Sequence, residues 1–343
     1  MKDEWLERAR QEMDQKVKPP KSLGRLESAA IQLAALQKTL QPRLERVRIL
    51  IFAADHGVSV EGVSAYPREV TAQMMRTFAA GGAAITVLAR TLGLEVEVID
   101  VGVDAELPDL PRVVAAKVRR GSRNFLREPA LTDDEVEAAL AAGRAAVRRA
   151  ADAGSEGVGL GDMGIGNTTA AAALLSALTG ASAQQTVGRG TGVDDRGLAA
   201  KRDVVEASLR LHAQRLGDAR SALAAVGGLE IAALTGATIE AAKRGRAVIV
   251  DGFISTVAAL AAVRLAPAIL PALFFAHRSA EAGHRLALSA LGAEPLLDLE
   301  MRLGEATGSA LAFPILKAAA AVMREMATFS SAGVSERSDP SPP

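Results

Sequence analysis

Apolar and polar positions along this chain switch repeatedly between a period near two and a period near 3.6. The switches set out alternating strands and helices. The first stretch, to about residue 16, is an amphipathic helix that Lys18-Pro19-Pro20 closes, because proline cannot continue it. Ser22 stands where it can cap a second helix over 23–40, with Leu26, Ile31, Leu33 and Leu36 as its apolar positions and Pro42 beyond its end. The run from Val47 to Ala54 predicts a buried strand that ends at Asp55-His56-Gly57. Pro67 opens a long helix toward Arg90, and strands are predicted over 94–101 and 113–118. Thr132-Asp133-Asp134-Glu135 has the spacing of a capping box for a helix to about residue 153. Gly157 to Gly161 reads as a short strand, followed by a helix from Asn167. Residues 195–245 read as helical with a break at Gly227-Gly228. Strands over 247–251 and 269–275, and helices from Ser279 and over 309–329, complete the pattern.

Strands alternating with helices predict an α/β fold, a doubly wound, mostly parallel, Rossmann-like sheet covered on both faces. A large α/β nucleotide-binding and catalytic domain is expected over 46–305. Segments 1–45 and 306–334 are expected to form a small helical domain, and 335–343, rich in proline, serine and charge, a disordered tail.

Composition narrows the function. Lys+Arg and Asp+Glu both total 40 in 343 residues, so bulk charge gives no case for a nucleic-acid or membrane-surface partner. There is no cysteine, which excludes disulfides, thiolate catalysis and cysteine-ligated zinc. Four histidines leave little for a histidine-based metal site. The N-terminal segment is charged, and the longest apolar stretch, 257–270, is interrupted by Arg264 and Pro267, too short and broken for a membrane span. A cytoplasmic protein is expected.

In open parallel sheets ligands bind beyond the carboxyl ends of the strands, so the polar loops there hold the candidate chemistry. Gly161-Asp162-Met163-Gly164-Ile165-Gly166-Asn167-Thr168-Thr169 joins a strand to a helix. Its glycines let backbone approach an anion, and the free N–H groups of the helix start can bind a phosphate. It is equally readable as a tight turn with Asn167 or Thr168 as cap, and it is neither a Walker nor a dinucleotide motif. Gly188-Arg189-Gly190-Thr191-Gly192 leads to Lys201, which could supply charge to a phosphate, or it is a linker before a helix. Asp55-His56-Gly57 offers acid–base or metal groups, though a lone histidine of this kind is more often structural. Tyr66, the single tyrosine, stands beside Pro67, where a flat apolar ring could pack, or the segment is an ordinary helix start. Asp251-Gly252 ends a strand, where Asp251 could bind ribose hydroxyls or act as a cap. Ser279, past the next strand, is open to the same two readings. In Arg302-Leu303-Gly304-Glu305-Ala306-Thr307-Gly308 a glutamate lies between glycines ahead of an apolar helix. Partial burial would raise its pKa toward neutrality, as a general base requires. A helix-start carboxylate is the competing reading.

Taken together, these segments resemble the nicotinate-nucleotide–dimethylbenzimidazole phosphoribosyltransferases of cobalamin lower-ligand synthesis. The match runs in order from Lys18-Pro19 and Ser22-Leu23-Gly24-Arg25-Leu26-Glu27, through Asp55-His56-Gly57-Val58, Gly164 to Thr169 and Gly190-Thr191-Gly192, to Arg302-Leu303-Gly304-Glu305. The set is specific, although each motif alone is weak. The resemblance implies Glu305 as general base, and Tyr66, Pro67, Gln73 and Leu303 around a benzimidazole. It implies Asp162, Gly164, Gly166, Asn167, Gly190, Lys201 and Ser279 about the nucleotide and its phosphate. It further implies a homodimer that uses no metal and no cofactor. Two residues depart from the family's pattern: Lys21 stands where glycine is usual, and Asp162 where glutamate is frequent.

The reaction so implied moves the phosphoribosyl group of nicotinate mononucleotide to 5,6-dimethylbenzimidazole, giving α-ribazole 5′-phosphate and nicotinate. Two other readings compete. An NAD-dependent oxidoreductase would carry a Gly-x-Gly-x-x-Gly after the first strand, which is missing. A non-catalytic nucleotide binder would have no need of Glu305.

Overall fold

The computed structural model describes residues 4–335, so the tail expected to be disordered lies outside the described residues from 336 onward. In chain order the strands are β1 (Val47–Ala54), β2 (Glu95–Gly102), β3 (Val113–Ala115), β4 (Gly157–Met163), β5 (Ala247–Val250) and β6 (Leu273–Phe275). The helices are α1 (Glu4–Asp14), α2 (Arg25–Gln37), α3 (Val70–Ala80), α4 (Ala84–Leu92), α5 (Asp133–Asp152), α6 (Asn167–Thr179) and α7 (Ala183–Thr186). They continue with α8 (Asp195–Leu211), α9 (Ala219–Val226), α10 (Leu229–Lys243), α11 (Phe253–Leu265), α12 (His284–Leu291), α13 (Thr307–Glu325) and α14 (Phe329–Ala332).

Packing divides the chain into two compact units, Arg46–Phe313 and the described parts of Met1–Glu45 with Pro314–Pro343, so the boundary falls inside α13. The larger unit holds one six-stranded sheet in the order β3-β2-β1-β4-β5-β6. Every neighbouring pair is parallel. This is the doubly wound arrangement expected. The strand order reverses between β1 and β4, which makes the carboxyl ends of those strands the place for a ligand crevice. Burial explains the composition of the strands: Ile49 to Ala54 and Ala247 to Val250 are enclosed throughout, as in a sheet covered on both faces. The alanine-rich helices α6, α10 and α11 are buried along most of their length, where small side chains let helices approach closely.

Several boundaries differ from the sequence reading, each for a local reason. The helix expected over 67–90 is two helices, because Gly81 takes φ 80° and ends α3. The strand expected from 269 is reduced to Leu273–Phe275. Pro267 and Pro271 lack the amide hydrogens a ladder needs, and a 3₁₀ turn covers Pro267–Ala272. The helix expected from Ser279 begins at His284, which leaves 276–283 as a loop. The capping box at Thr132 is present: Glu135 N–H donates to Thr132 Oγ1 at 3.2 Å, and Thr132 N–H donates to the Glu135 carboxylate at 2.8 Å.

In the smaller unit, α2 starts at Arg25 and is not capped by Ser22. Glu27 takes that role from inside the helix, accepting the Leu23 N–H at 2.9 Å while pairing with the buried ammonium of Lys18 at 2.9 Å. Lys21 lies just ahead with φ 61°, in the left-handed region that glycine adopts freely. That accounts for glycine being usual in the resembling family. Lys21→Gly is expected to stabilise the protein by about 1 kcal/mol or less, since relief of the side-chain clash outweighs the added chain entropy. Urea titration would read this, and a fall in the unfolding midpoint would contradict it.

Candidate active site

A cleft opens at the carboxyl ends of β4, β5 and β6, lined among others by Asp162, Gly164, Asn167, Gly190, Ser279, Arg302 and Leu303. Glu305 follows Gly304, the last residue of that lining, and is itself enclosed. The segment Gly304-Glu305-Ala306 ahead of α13 is left-handed throughout, with φ of 87°, 60° and 63°. Two successive non-glycine residues in this region cost about 1–2 kcal/mol each, and such strain collects at functional sites. Strand β4 makes the turn possible. A side chain at Gly161 would come within 2.2 Å of the Ala306 nitrogen, so only glycine lets the Glu305–Ala306 peptide lie against the strand.

The Glu305 side chain is 5% exposed. Its carboxylate accepts the backbone N–H of Ile85 in the first turn of α4, which favours the ionised form. Burial outweighs that contact and raises its pKa to about 7. Oε2 has no hydrogen-bond partner among the described residues and so is free to take a proton.

Further buried carboxyls surround it. Asp162 ends β4 and its Oδ2 accepts from Asn167 Nδ2 at 2.9 Å. Burial, and then the charges of Asp251, Glu230 and Glu305, push its pKa well above the usual carboxylate range. Asp251, just past β5, rises to about 7 mainly through burial. It is 1% exposed and lies outside the cleft lining. Glu230 on α10 pairs with His56, 2.7 Å between Oε1 and Nε2, both fully enclosed. The His56 ring sits behind the Gly164–Gly166 loop, so a side chain at Gly164 would meet it at 3.5 Å. It is thereby a support for that loop, out of reach of anything in the cleft. Asp55 is also enclosed, with Oδ2 accepting the Asp104 N–H at 2.8 Å.

On the opposite side lies the cation. Lys201 on α8 is 1% exposed, with Nζ donating to Thr168 Oγ1 at 2.7 Å and to the Gly188 carbonyl at 3.3 Å. Burial lowers its pKa to about 8, against the opposing charge of Glu281. Thr168 is in the first turn of α6, where the N–H groups of Asn167 and Thr169 are bonded to the Gly164 and Gly166 carbonyls and the positive dipole end remains to attract an anion. Gly166, at φ 95°, turns the chain into that helix. The Gly190 carbonyl is held by Arg302 Nη1 at 2.8 Å, and the Gly190 N–H binds Glu281. The Ser279 N–H donates to His284 Nδ1 at 2.7 Å. That bond requires an unprotonated Nδ1, in keeping with a His284 pKa lowered to about 3 chiefly by burial.

The structure therefore gathers Asp162, Gly164, Asn167, Gly190, Ser279 and Leu303 in the cleft lining, while Gly166 and the enclosed Glu305 stand next in the chain to lining residues and Lys201 reaches the lining through Thr168. Tyr66, Pro67 and Gln73 are placed otherwise. They are exposed and absent from the lining, although Ile165 N–H donates to Thr71 Oγ1 at 3.1 Å and ties their segment to the Gly164–Gly166 loop. Leu303 and Tyr66 are 57% and 53% exposed. Sequence reasoning missed Glu230, Glu281 and the Arg302–Gly190 contact, and it named Thr168 only as a member of the glycine-rich loop or a cap. Only Glu281, two residues after Ser279, carried a positional hint.

A doubly wound sheet, a helix-start anion site backed by a buried lysine, and an enclosed carboxyl of near-neutral pKa define a nucleotide-handling transferase site. Comparison with known proteins agrees. The phosphoribosyltransferase family model matches residues 1–334. The nicotinate-nucleotide–dimethylbenzimidazole phosphoribosyltransferase of Pseudomonas putida is 52% identical over 97% of this chain and 95% of its own length. That of Cupriavidus necator is 51% identical over 95% and 94%. The crystal structure of CobT from Thermus thermophilus superposes with a TM-score of 0.94 at 49% identity, covering 97% of this chain and 100% of that one. The chain belongs to the nicotinate-nucleotide–dimethylbenzimidazole phosphoribosyltransferase family.

Proposed function

We propose that this protein transfers the 5-phosphoribosyl group of nicotinate mononucleotide to 5,6-dimethylbenzimidazole, with Glu305 as the general base, in assembly of the cobalamin nucleotide loop. The donor's nicotinate is attached through a pyridinium nitrogen, so it departs as a neutral ring without an acid. The ribose carbon then gains oxocarbenium character, with Asp162 in the lining of the cleft where that positive charge develops. One benzimidazole nitrogen attacks from the face opposite the leaving group, giving the α-linkage, while Glu305 takes the proton from the other. Lys201, the α6 start and Ser279 hold the phosphate, remote binding that fixes the sugar for attack.

The observation that carries this reading is the Glu305 turn, a strained segment that presents an enclosed carboxyl with one free oxygen. The exposed rings and side chains of Tyr66, Pro67, Gln73 and Leu303 are assigned to the acceptor base. The working form is a cytoplasmic homodimer, in line with the family resemblance. Among the described residues no helix is long and apolar enough to cross a membrane.

Incubating the purified protein with nicotinate mononucleotide and dimethylbenzimidazole is expected to release nicotinate and form α-ribazole 5′-phosphate in equal amounts by chromatography. Nicotinate release that does not depend on the acceptor, or none at all, would remove the assignment.

A further inference from the structure

We propose that Asp251 is a positioning residue, which holds the Glu305 turn in its left-handed form and does not contact the nucleotide. The proposal rests on the reading of Glu305 as base. Backbone in this region persists only where its surroundings over-determine it. The surroundings here centre on one carboxylate. Asp251 Oδ1 accepts the N–H of Gly308 at 2.7 Å and of Ser309 at 3.1 Å, and the nearby Ala306 N–H favours its charged form. These are amides at the start of α13 that the helix itself leaves unpaired.

A second tie runs to the same strand, since Ser309 Oγ donates to the Ile249 carbonyl at 2.9 Å. From the other side, Gly161 of β4 leaves no space between its Cα and the Glu305–Ala306 peptide. The turn is thus clamped between β4 and the end of β5, and Asp251 supplies its hydrogen-bonded half. The use of Oδ1 by two amides at the start of α13 argues against a ribose contact. Asp251 is enclosed behind the turn, whereas its neighbours Gly252 and Phe253 line the cleft. His277 Nε2, 3.8 Å from Oδ1, is the nearby basic group.

The test is a double-mutant cycle on the full-length protein, with nicotinate mononucleotide and dimethylbenzimidazole as substrates. Asp251→Ala is expected to lower kcat by about 10–100-fold with KM for nicotinate mononucleotide changed by less than about threefold. Asp251→Asn, which keeps an oxygen acceptor, is expected to recover most of the loss. In a Glu305→Gln background the Asp251→Ala loss is expected to shrink below about threefold, because a residue acting through Glu305 has nothing left to position. Should Asp251→Ala fail to accumulate folded, Asp251→Ser carries the same cycle. A large rise in KM with kcat unchanged, an undiminished loss on the glutamine background, or an asparagine variant as damaged as alanine would each overturn the proposal. Wild-type kcat in Glu305→Gln alone would instead sink the base assignment, so the two failures are distinguishable.

Discussion

Replacing Glu305 by glutamine is expected to lower kcat by about 100-fold or more while the protein becomes more heat-stable at pH 8. Glutamine is nearly isosteric and still accepts the Ile85 N–H, so the turn and the cleft stay in place. What disappears is the ability to remove the acceptor's proton as the new bond forms. The stability gain follows from the same burial. The folded-state pKa of Glu305 is raised from 4.5 to about 7, so the folded protein holds this proton more tightly than the unfolded chain. Below pH 4.5 both states are protonated and there is no cost. Stability is lost as pH rises from there toward 7, by about 3 kcal/mol at most above it. Glutamine never ionises and escapes that cost. Melting curves of wild type and variant should therefore nearly coincide at pH 4 and separate at pH 8, with the variant higher. For the wild type, kcat/KM should rise through an acid limb near pH 7, a limb that belongs jointly to Glu305 and its neighbour Asp251. A glutamine variant that turns over at the wild-type rate, or melts lower at pH 8, would be incompatible with this account.

Much of the fold was legible in the chain because its signals are local. The buried run Val47–Ala54 and the capping box at Thr132 each need only a few adjacent residues to declare themselves, and both stand in the structure at the expected positions. The strand expected from 269 was misplaced because its apolar content competed with its prolines. Residues 267–272 are apolar enough for a strand, yet Pro267 and Pro271 remove the amides that pairing requires. The candidate site divides in the same way. Motifs contiguous in sequence, such as Gly164 to Asn167 and Leu303 to Glu305, were visible as candidates, each open to a functional and a capping reading. Groups that matter through a partner far along the chain were not. Nothing near His56 announces Glu230, 174 residues later, and nothing in Asp251-Gly252 announces Gly308 and Ser309, 57 and 58 residues on. The glycines of β4 were visible as a pattern, but their purpose emerges only when Ala306 is found against Gly161.

Removing the amine of Lys201 is expected to raise KM for nicotinate mononucleotide by about 100-fold with a much smaller change in kcat, since the truncation of a buried charge facing an anion typically costs about 2–5 kcal/mol. The side chain is fully enclosed, and its place between Thr168 Oγ1 and the Gly188 carbonyl puts the positive charge directly under the start of α6. Lys201→Ala also leaves the Glu281 carboxyl without its compensating charge, and that carboxyl's pKa is already raised by burial. The lowered lysine pKa adds a test that needs no mutation. With the group titrating at about 8 in the free protein, the cation is present below that pH and lost above it. Because kcat/KM follows the free protein, it should fall above pH 8, whereas kcat, set by the complex in which the phosphate retains the proton, should not. Lys201→Arg separates charge from shape. Arginine stays protonated throughout this range, so the alkaline fall should vanish even if the longer fork fits poorly against Thr168 and lowers the plateau. An alkaline limb that survives in the arginine variant would mean that another group titrates there. An alanine variant with unchanged KM would mean that the phosphate is held by the α6 amides alone.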